Sequence, residues 1–334
     1  MPLTKPAKLL LLVAAAASSP AFGQEAAPLG VDAINGAVLK DIAEVYANEP
    51  ADGEAAPNPA IVRAQVILDR AAASPGAIDG FGGDTFRNAL VAFEIMSGLE
   101  VDGIPDEKLL SLLETSHQAI GTYVIVEADT ASVRGPMPKD FAEMAQLDFL
   151  GYADVAEAVA EKFHMDIDLF RMLNPGAAFR VGEQVFVADV GAPEPEGPLT
   201  LIEVDKELRQ VRAYAEDGTL LAAYPASIGS EENPSPSGTH NIAAVAAMPT
   251  YTYNPDVNFQ QGANTEVLSL PPGPNGPVGS MWIDLSKPHF GIHGTPEPSL
   301  IDKTGSHGCV RLTNWDAWEL SRMVSEGIPV KFLG

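Results

Sequence analysis

Hydrophobic and polar positions change rhythm several times along this chain, and each change marks an element boundary. Residues 9–17 are an unbroken apolar run, with Lys5 and Lys8 before it and Ala21-Phe22-Gly23 after it. A positive start, an apolar centre and small residues flanking a cleavage point predict a secretory signal over 1–23. The run is well short of the ~20 apolar residues that a membrane-spanning helix needs. Residues 24–60 are rich in Ala, Pro and acids and read as a linker, with one amphipathic stretch over 34–46 spaced for a helix. Over 61–118 the pattern predicts helix, loop, helix, loop, helix. Ile61, Val62, Gln65, Val66 and Leu68 open the first helix, Ser74-Pro75-Gly76 breaks it, and Asp84 caps a second whose apolar face is Phe86, Leu90, Phe93 and Ile95. Residues 147–190 hold two short helical patterns, the turn Leu173-Asn174-Pro175-Gly176 and a strand-like stretch over 181–187. The Pro- and Gly-rich residues 191–198 form a stiff linker.

Beyond Leu199 the texture is that of short strands, at 199–204, 210–214, 220–224, 281–285, 290–293 and 329–332. Asp217-Gly218 marks a hairpin between the second and third. One helix is expected over 314–326, with Trp315, Trp318, Leu320 and Met323 as its packing residues. The fold expected is multidomain: a small three-helix domain, a small α+β module, and over 198–334 a mainly-β domain, either a β-sandwich or a partly open barrel.

Length and composition agree with this division. The chain has 334 residues, 46% of them hydrophobic, enough for two or three real cores. A formal net charge of −25 opposes nucleic acid, which needs a basic footprint, and an anionic membrane surface. The signal region holds no cysteine and so no lipid-attachment site. The expectation is an exported protein, soluble outside the cytoplasmic membrane, with no membrane span once the signal is cleaved.

Cys309 is the single cysteine. Exported proteins use cysteines in pairs as disulfides, so a lone thiol asks for another explanation. It lies in Ser306-His307-Gly308-Cys309-Val310-Arg311, with His293 sixteen residues earlier. A free thiol is only about 3% ionised near neutrality, and an imidazole that takes its proton makes it a nucleophile. Either His307 or His293 offers that imidazole; His293, returning on a neighbouring strand, is the preferred base. Gly308 permits a sharp turn and close approach of a substrate. The amides of Gly308 and Cys309 are expected to face a developing oxyanion, where one donor is worth about 3 kcal/mol. Two blander readings compete. The thiol is an inert core residue, or it joins His289, His293 and His307 on zinc. Pro288 and Gly291 oppose the helix such a metal site would need, so no metal and no cofactor are expected. His117, His164 and His240 read as surface or internally satisfied histidines, and the tryptophans at 315 and 318 as core packing.

Three resemblances follow from these motifs. Pro75-Gly76-Ala77-Ile78-Asp79-Gly80, Gly82-Gly83-Asp84-Thr85 and Gly98-Leu99-Glu100-Val101-Asp102-Gly103 form a weak internal repeat that resembles the three-helix peptidoglycan-binding domain. Leu173-Asn174-Pro175 and the strand after Gly182 are similar to LysM modules, small β-α-α-β folds that grip glycan chains; the opening Gly-Asp-Thr of that family has no clear counterpart. Ile292-His293-Gly294-Thr295 and Ser306-His307-Gly308-Cys309-Val310-Arg311-Leu312, with Pro236-Ser237-Gly238-Thr239 upstream, resemble the YkuD-type L,D-transpeptidase catalytic domain. That last resemblance implies a peptidoglycan enzyme of the periplasm or cell wall. Cys309 would attack the stem peptide at its third residue and expel the terminal D-alanine. A second stem would then resolve the thioester into a 3→3 cross-link. His293 would be general base and then acid, oriented by the Gly294 carbonyl. Ser306, His307 and Gly308 would shape the site, and Arg311 would brace the loop or hold a substrate carboxylate. The implied partners are stem peptides and glycan, with an envelope lipoprotein as a further acceptor. An L,D-carboxypeptidase, or a ligase or hydrolase of such a lipoprotein, remains the alternative on the same scaffold.

Overall fold

A computed structural model of the chain describes residues 29–43, 56–191, 197–230, 232–257 and 259–334. The expected signal over 1–23 lies outside them, as do 24–28 and 44–55 of the linker. Among the described residues no helix is long and apolar enough to cross a membrane. The helix expected over 34–46 is not continuous: α1 (Val31–Asn35) stops at Gly36, and a tighter turn follows at Leu39–Asp41. Asn35 accounts for the break. Its side chain donates to the carbonyl of Ile120 at 3.0 Å and accepts from the amides of Ala119 and Ile120 at 2.9 Å, so the helix end is pinned to a strand far along the chain.

The three-helix domain comprises α2 (Pro59–Arg70), α3 (Asp84–Ser97) and α4 (Glu107–Leu113). Asn58 starts α2 by accepting from the amides of Ala60 and Ile61, with Pro59 in the first turn. Asp84 does not cap α3 as expected; Gly83 holds that position, and the Asp84 carboxylate reaches Arg209 at 2.7 Å instead. The internal repeat has a physical counterpart. Buried Gln65 accepts from the amides of Asp79 and Gly80 (3.1 and 2.8 Å), and buried Glu94 accepts from those of Asp102 and Gly103 (3.0 and 2.9 Å). Each Asp-Gly turn is thus clamped by one side chain of the preceding helix.

The middle module is built from β1 (Ile120–Val124) and β2 (Gln184–Ala188), an antiparallel pair. Its span exceeds the expected 147–190, because its first strand lies upstream. Between the strands come α5 (Phe141–Met144), α6 (Val155–Lys162) and α7 (Ile167–Leu173). The last two pack on the sheet through Val159, Leu169 and Phe170. Asn174 ties the α7 end to β2, bonding both the amide and the carbonyl of Phe186.

The C-terminal domain holds β3 (Leu199–Asp205), β4 (Gln210–Ala215), β5 (Leu220–Pro225), β6 (Ser227–Ile228), β7 (Gly238–Ala247), β8 (Tyr251–Tyr253), β9 (Leu268–Leu270), β10 (Met281–Leu285), β11 (Gly291–His293), β12 (Val310–Arg311), α8 (Asn314–Met323) and β13 (Pro329–Leu333). Nine of these strands form one sheet in the order β5-β4-β3-β13-β7-β10-β11-β12-β6. Only Ala226 separates β5 from β6 in the chain, yet they are the two outer strands of the sheet. The sheet must therefore curl until its edges nearly meet, an almost closed barrel around Ile202, Val204, Val211, Ile283, Ile292 and Val330. Helix α8 ends at Met323, three residues before the expected stop. Its Trp315 and Leu320 are buried as expected, whereas Trp318 is 53% exposed.

The domains are joined by hydrogen bonds and shared cores. Ala223 of β5 accepts from the Ser74 amide and donates to the Ala72 carbonyl, both at 2.9 Å. Asn88 of α3 donates to the Leu208 carbonyl at 2.7 Å, and Gln210 donates to the Asn88 carbonyl at 3.0 Å. Leu220 and Ala223 of the barrel belong to the core of the helical domain.

Candidate active site

Strands β11 and β12 run parallel, with Ile292 opposite Val310 and His293 opposite Arg311. Side chains alternate along a strand, so His293, Arg311 and Cys309 share one face. They line one cleft of about 620 Å³, together with Trp282, His289, Phe290, Tyr251 and Phe259. By the same register Cys309 lies beside Gly291, which presents no side chain.

Cys309 is the free thiol, half-buried. Burial pushes its pKa above the ordinary thiol value; the Gly291 amide, hydrogen-bonded to the sulfur, and the Arg311 charge pull the other way. Its Sγ lies 3.7 Å from the carbonyl oxygen of His289. His289 has φ 70°, a left-handed conformation unusual for a residue with a Cβ.

His293 is buried. Its Nδ1 lies 2.6 Å from the Gly294 carbonyl oxygen. A carbonyl only accepts, so Nδ1 carries the proton and Nε2 is the basic nitrogen. The indole of Trp282 stacks on the imidazole at 5.6 Å and 18°. Burial pulls the His293 pKa down to about 4, with the Gly294 hydrogen bond opposing and Arg311 assisting. Thiol and imidazole are therefore both neutral at rest. Gly294 is required by its surroundings, since a Cβ there would meet Asn314 Oδ1 at 2.2 Å.

The remaining motif residues divide by role in the geometry. Ser306 is buried. Its hydroxyl accepts from the amides of Gly229 (2.7 Å) and Gly308 (3.2 Å) and donates to the Cys309 carbonyl. The Gly308 amide, expected to face an oxyanion, is thus engaged within its own loop. Gly308 has φ 104°, so its glycine identity is needed for the turn itself. The ring of His307 stacks on Phe259 at 3.9 Å and 14°, part of the aromatic wall of the cleft. Arg311 Nη1 lies 3.5 Å from Thr304 Oγ1; burial lowers its pKa, and Glu297 across the cleft opposes that.

Sequence reasoning missed two contributions. Trp282 stacks on the His293 imidazole, and only its place before the histidine strand hinted at it. Phe141 and Met144 enter the cleft from the middle module. Phe141 packs edge-on against Tyr253 (5.3 Å) and Phe259 (6.1 Å), so residues 137–150 and the β8–β9 hairpin share a small core. No periodic pattern in 119–146 announces this.

The family model of the L,D-transpeptidase catalytic domain (YkuD) matches residues 200–331, and that of a "putative peptidoglycan binding domain" matches residues 57–113. A "putative L,D-transpeptidase YkuD" of Bacillus licheniformis is 31% identical over 180 residues, 53% of this chain and 92% of that protein. Its Bacillus subtilis counterpart is 27% identical over 179 residues, with the same shares of 53% and 92%. Among solved structures, an L,D-transpeptidase from Mycobacterium smegmatis overlaps 46% of this chain and 65% of that chain, at 20% identity and a TM-score of 0.34.

Proposed function

The chain belongs to the L,D-transpeptidase family, and from that premise we propose that it cross-links peptidoglycan stems 3→3 through a thioester on Cys309. The supporting observation is the β11–β12 register, which sets the sulfur and a basic imidazole nitrogen on one face of a single cleft. In this reading Sγ bonds to the carbonyl carbon of the stem's third residue as the thiol proton passes to His293 Nε2. The tetrahedral intermediate collapses, the C–N bond to D-alanine breaks, and the imidazolium returns its proton to the leaving amine. The side-chain amine of a second stem then attacks the thioester. His293 takes a proton from that amine and delivers it to the departing sulfur. Both pKa directions keep the resting pair neutral, so proton transfer accompanies attack instead of preceding it.

The Cys309 amide serves as oxyanion donor in place of the Gly308 amide, which Ser306 occupies. Ser306 positions the nucleophile loop, Gly294 fixes the imidazole tautomer, and Arg311 attracts a stem carboxylate. The helical domain and the β-α-α-β module, read as LysM-like, hold the enzyme on the wall, and the signal over 1–23 directs it to the periplasm.

Intact-mass measurement after incubation with a tetrapeptide muropeptide tests this reading. A covalent acyl adduct on the wild type, absent from Cys309→Ala, and dimers in the product are expected. An adduct that persists in Cys309→Ala refutes the nucleophile. Tripeptides without dimers convert the reading to a carboxypeptidase.

A further inference from the structure

A second cavity, of about 410 Å³, lies between the middle module and the barrel. Tyr152, Glu161 and Lys162 line it from one side; Met248, Ser280, Trp315 and Trp318 line it from the other. It shares no lining residue with the Cys309 cleft. We propose that this interdomain cavity is a saccharide subsite, which binds an N-acetylated sugar of the glycan strand whose stem peptide enters the catalytic cleft. The identity of the sugar rests on the function proposed above.

Several independent features point to such a ligand. Trp318 is 53% exposed at the cavity, and an indole offers the flat apolar surface on which the C–H face of a pyranose rests. Two buried polar atoms in the wall, Trp315 Nε1 and Glu161 Oε1, have no hydrogen-bond partner among the described residues. Such orphans are rare in native proteins, and each asks for a water or a ligand. Indole N–H only donates. Glu161 Oε2 accepts from Tyr152 and Asn314 and burial raises this carboxyl to about 8, so near neutrality Oε1 carries the proton and donates as well. The carbonyl oxygen of an acetamido group accepts from donors of this kind. The cavity volume also lies in the range of small-molecule sites.

Charge selects the class of ligand. The Lys162 ammonium is held by Asp129 (2.8 Å) and by the Tyr123 hydroxyl (2.6 Å). His164 is paired with Asp69 at 3.0 Å. Both cations at the cavity are thereby matched within the protein, which leaves no free positive charge for the carboxylates of a stem peptide. A neutral polar ligand fits, and a sugar is one.

Placement agrees with a role in positioning. Ser280 lines this cavity and Trp282 the catalytic cleft, a separation of roughly 7 Å along a strand. By the strand register Cys309 lies two residues further along than Trp282 and two strands across, so a sugar seated here holds the glycan strand beside the catalytic cleft.

The test uses the full chain labelled with ¹⁵N and titrated with N,N′,N″-triacetylchitotriose. The three tryptophans give one indole signal each. Saturable shifts at Trp318 and Trp315 with Trp282 unmoved are expected. Trp318→Ala should weaken binding tenfold or more, and Trp318→Phe should retain most of it. No shift at all, a shift confined to Trp282, or unchanged binding by Trp318→Ala overturns the proposal. So does a stem tetrapeptide that moves Trp318 when the sugar does not. Acylation of Cys309 by a carbapenem is scored on the same samples. Its loss in the wild type counts against the catalytic reading, and its presence without sugar binding counts against this subsite alone.

Discussion

The pH dependence of acylation gives the sharpest test of the catalytic geometry. Burial beneath Trp282 pulls His293 down to about 4, whereas an ordinary histidine titrates near 6.5. At pH 5.5 an ordinary imidazole would be about 9% neutral, and this one about 97% neutral. The second-order rate of Cys309 acylation by a carbapenem, followed by intact mass, should therefore stay level from pH 7.5 to 5.5 where an ordinary base would lose roughly tenfold. Trp282→Ala admits water to the ring, and the acid limb should move up toward 6.5. Stability carries the same signature. Above pH 6.5 the imidazole is neutral in both folded and unfolded states. As pH falls from 6.5 to about 4, the unfolded chain takes up a proton that the folded chain refuses, and stability declines by up to about 3 kcal/mol across that window. A wild-type acid limb centred near 6.5, or one that Trp282→Ala leaves in place, would show that the ring is not held neutral by burial.

Other substitutions probe the surroundings. Gly294→Ala drives a Cβ to 2.2 Å from Asn314 Oδ1; a drop of about 2–4 kcal/mol in urea unfolding and loss of acylation are expected, and a wild-type unfolding curve would contradict the packing. Ser306→Ala leaves the amides of Gly229 and Gly308 without their acceptor, so a loss of about 2 kcal/mol and slower acylation should appear together in calorimetry and mass kinetics. Phe141→Ala removes the module's aromatic ring from the cleft wall; the KM for a muropeptide should rise severalfold while acylation by a small carbapenem changes little. Glu161 is raised to about 8 by burial, so its contribution is complete below pH 4.5 and is lost as pH rises through about 8. Glu161→Gln should flatten the decline of Tm over that range, and an unchanged slope would place the titration elsewhere.

Much of the barrel and of the candidate site was legible because both are local. Short apolar runs between turn residues marked the main strands, and the His293 and Cys309 segments carry their turns in their own glycines. What stayed hidden depends on partners distant in sequence. Strand β1 is short, contains Gly121, and pairs with β2 across the intervening helices, so nothing beside it in the chain identifies it. Asn35 broke a helix that amphipathic spacing supported, because its side chain satisfies the backbone of Ala119 and Ile120. Trp318 looked like core from its spacing on α8, yet the space opposite it is a cavity. The Gly308 amide turns inward, to the hydroxyl of a serine two residues earlier.

The seam between β5 and β6 bears on how this protein can be cut or recombined. Ala72 and Ser74 bond the backbone of Ala223 on the outer strand β5, and such a margin, left bare, invites pairing with another molecule. Excising the N-terminal helices would strip that cover and leave a sticky border, so a lone C-terminal fragment should self-associate. The segments of this enzyme are therefore not interchangeable beads on a string, and a graft of its catalytic portion onto a different anchor must bring along a replacement for that cover.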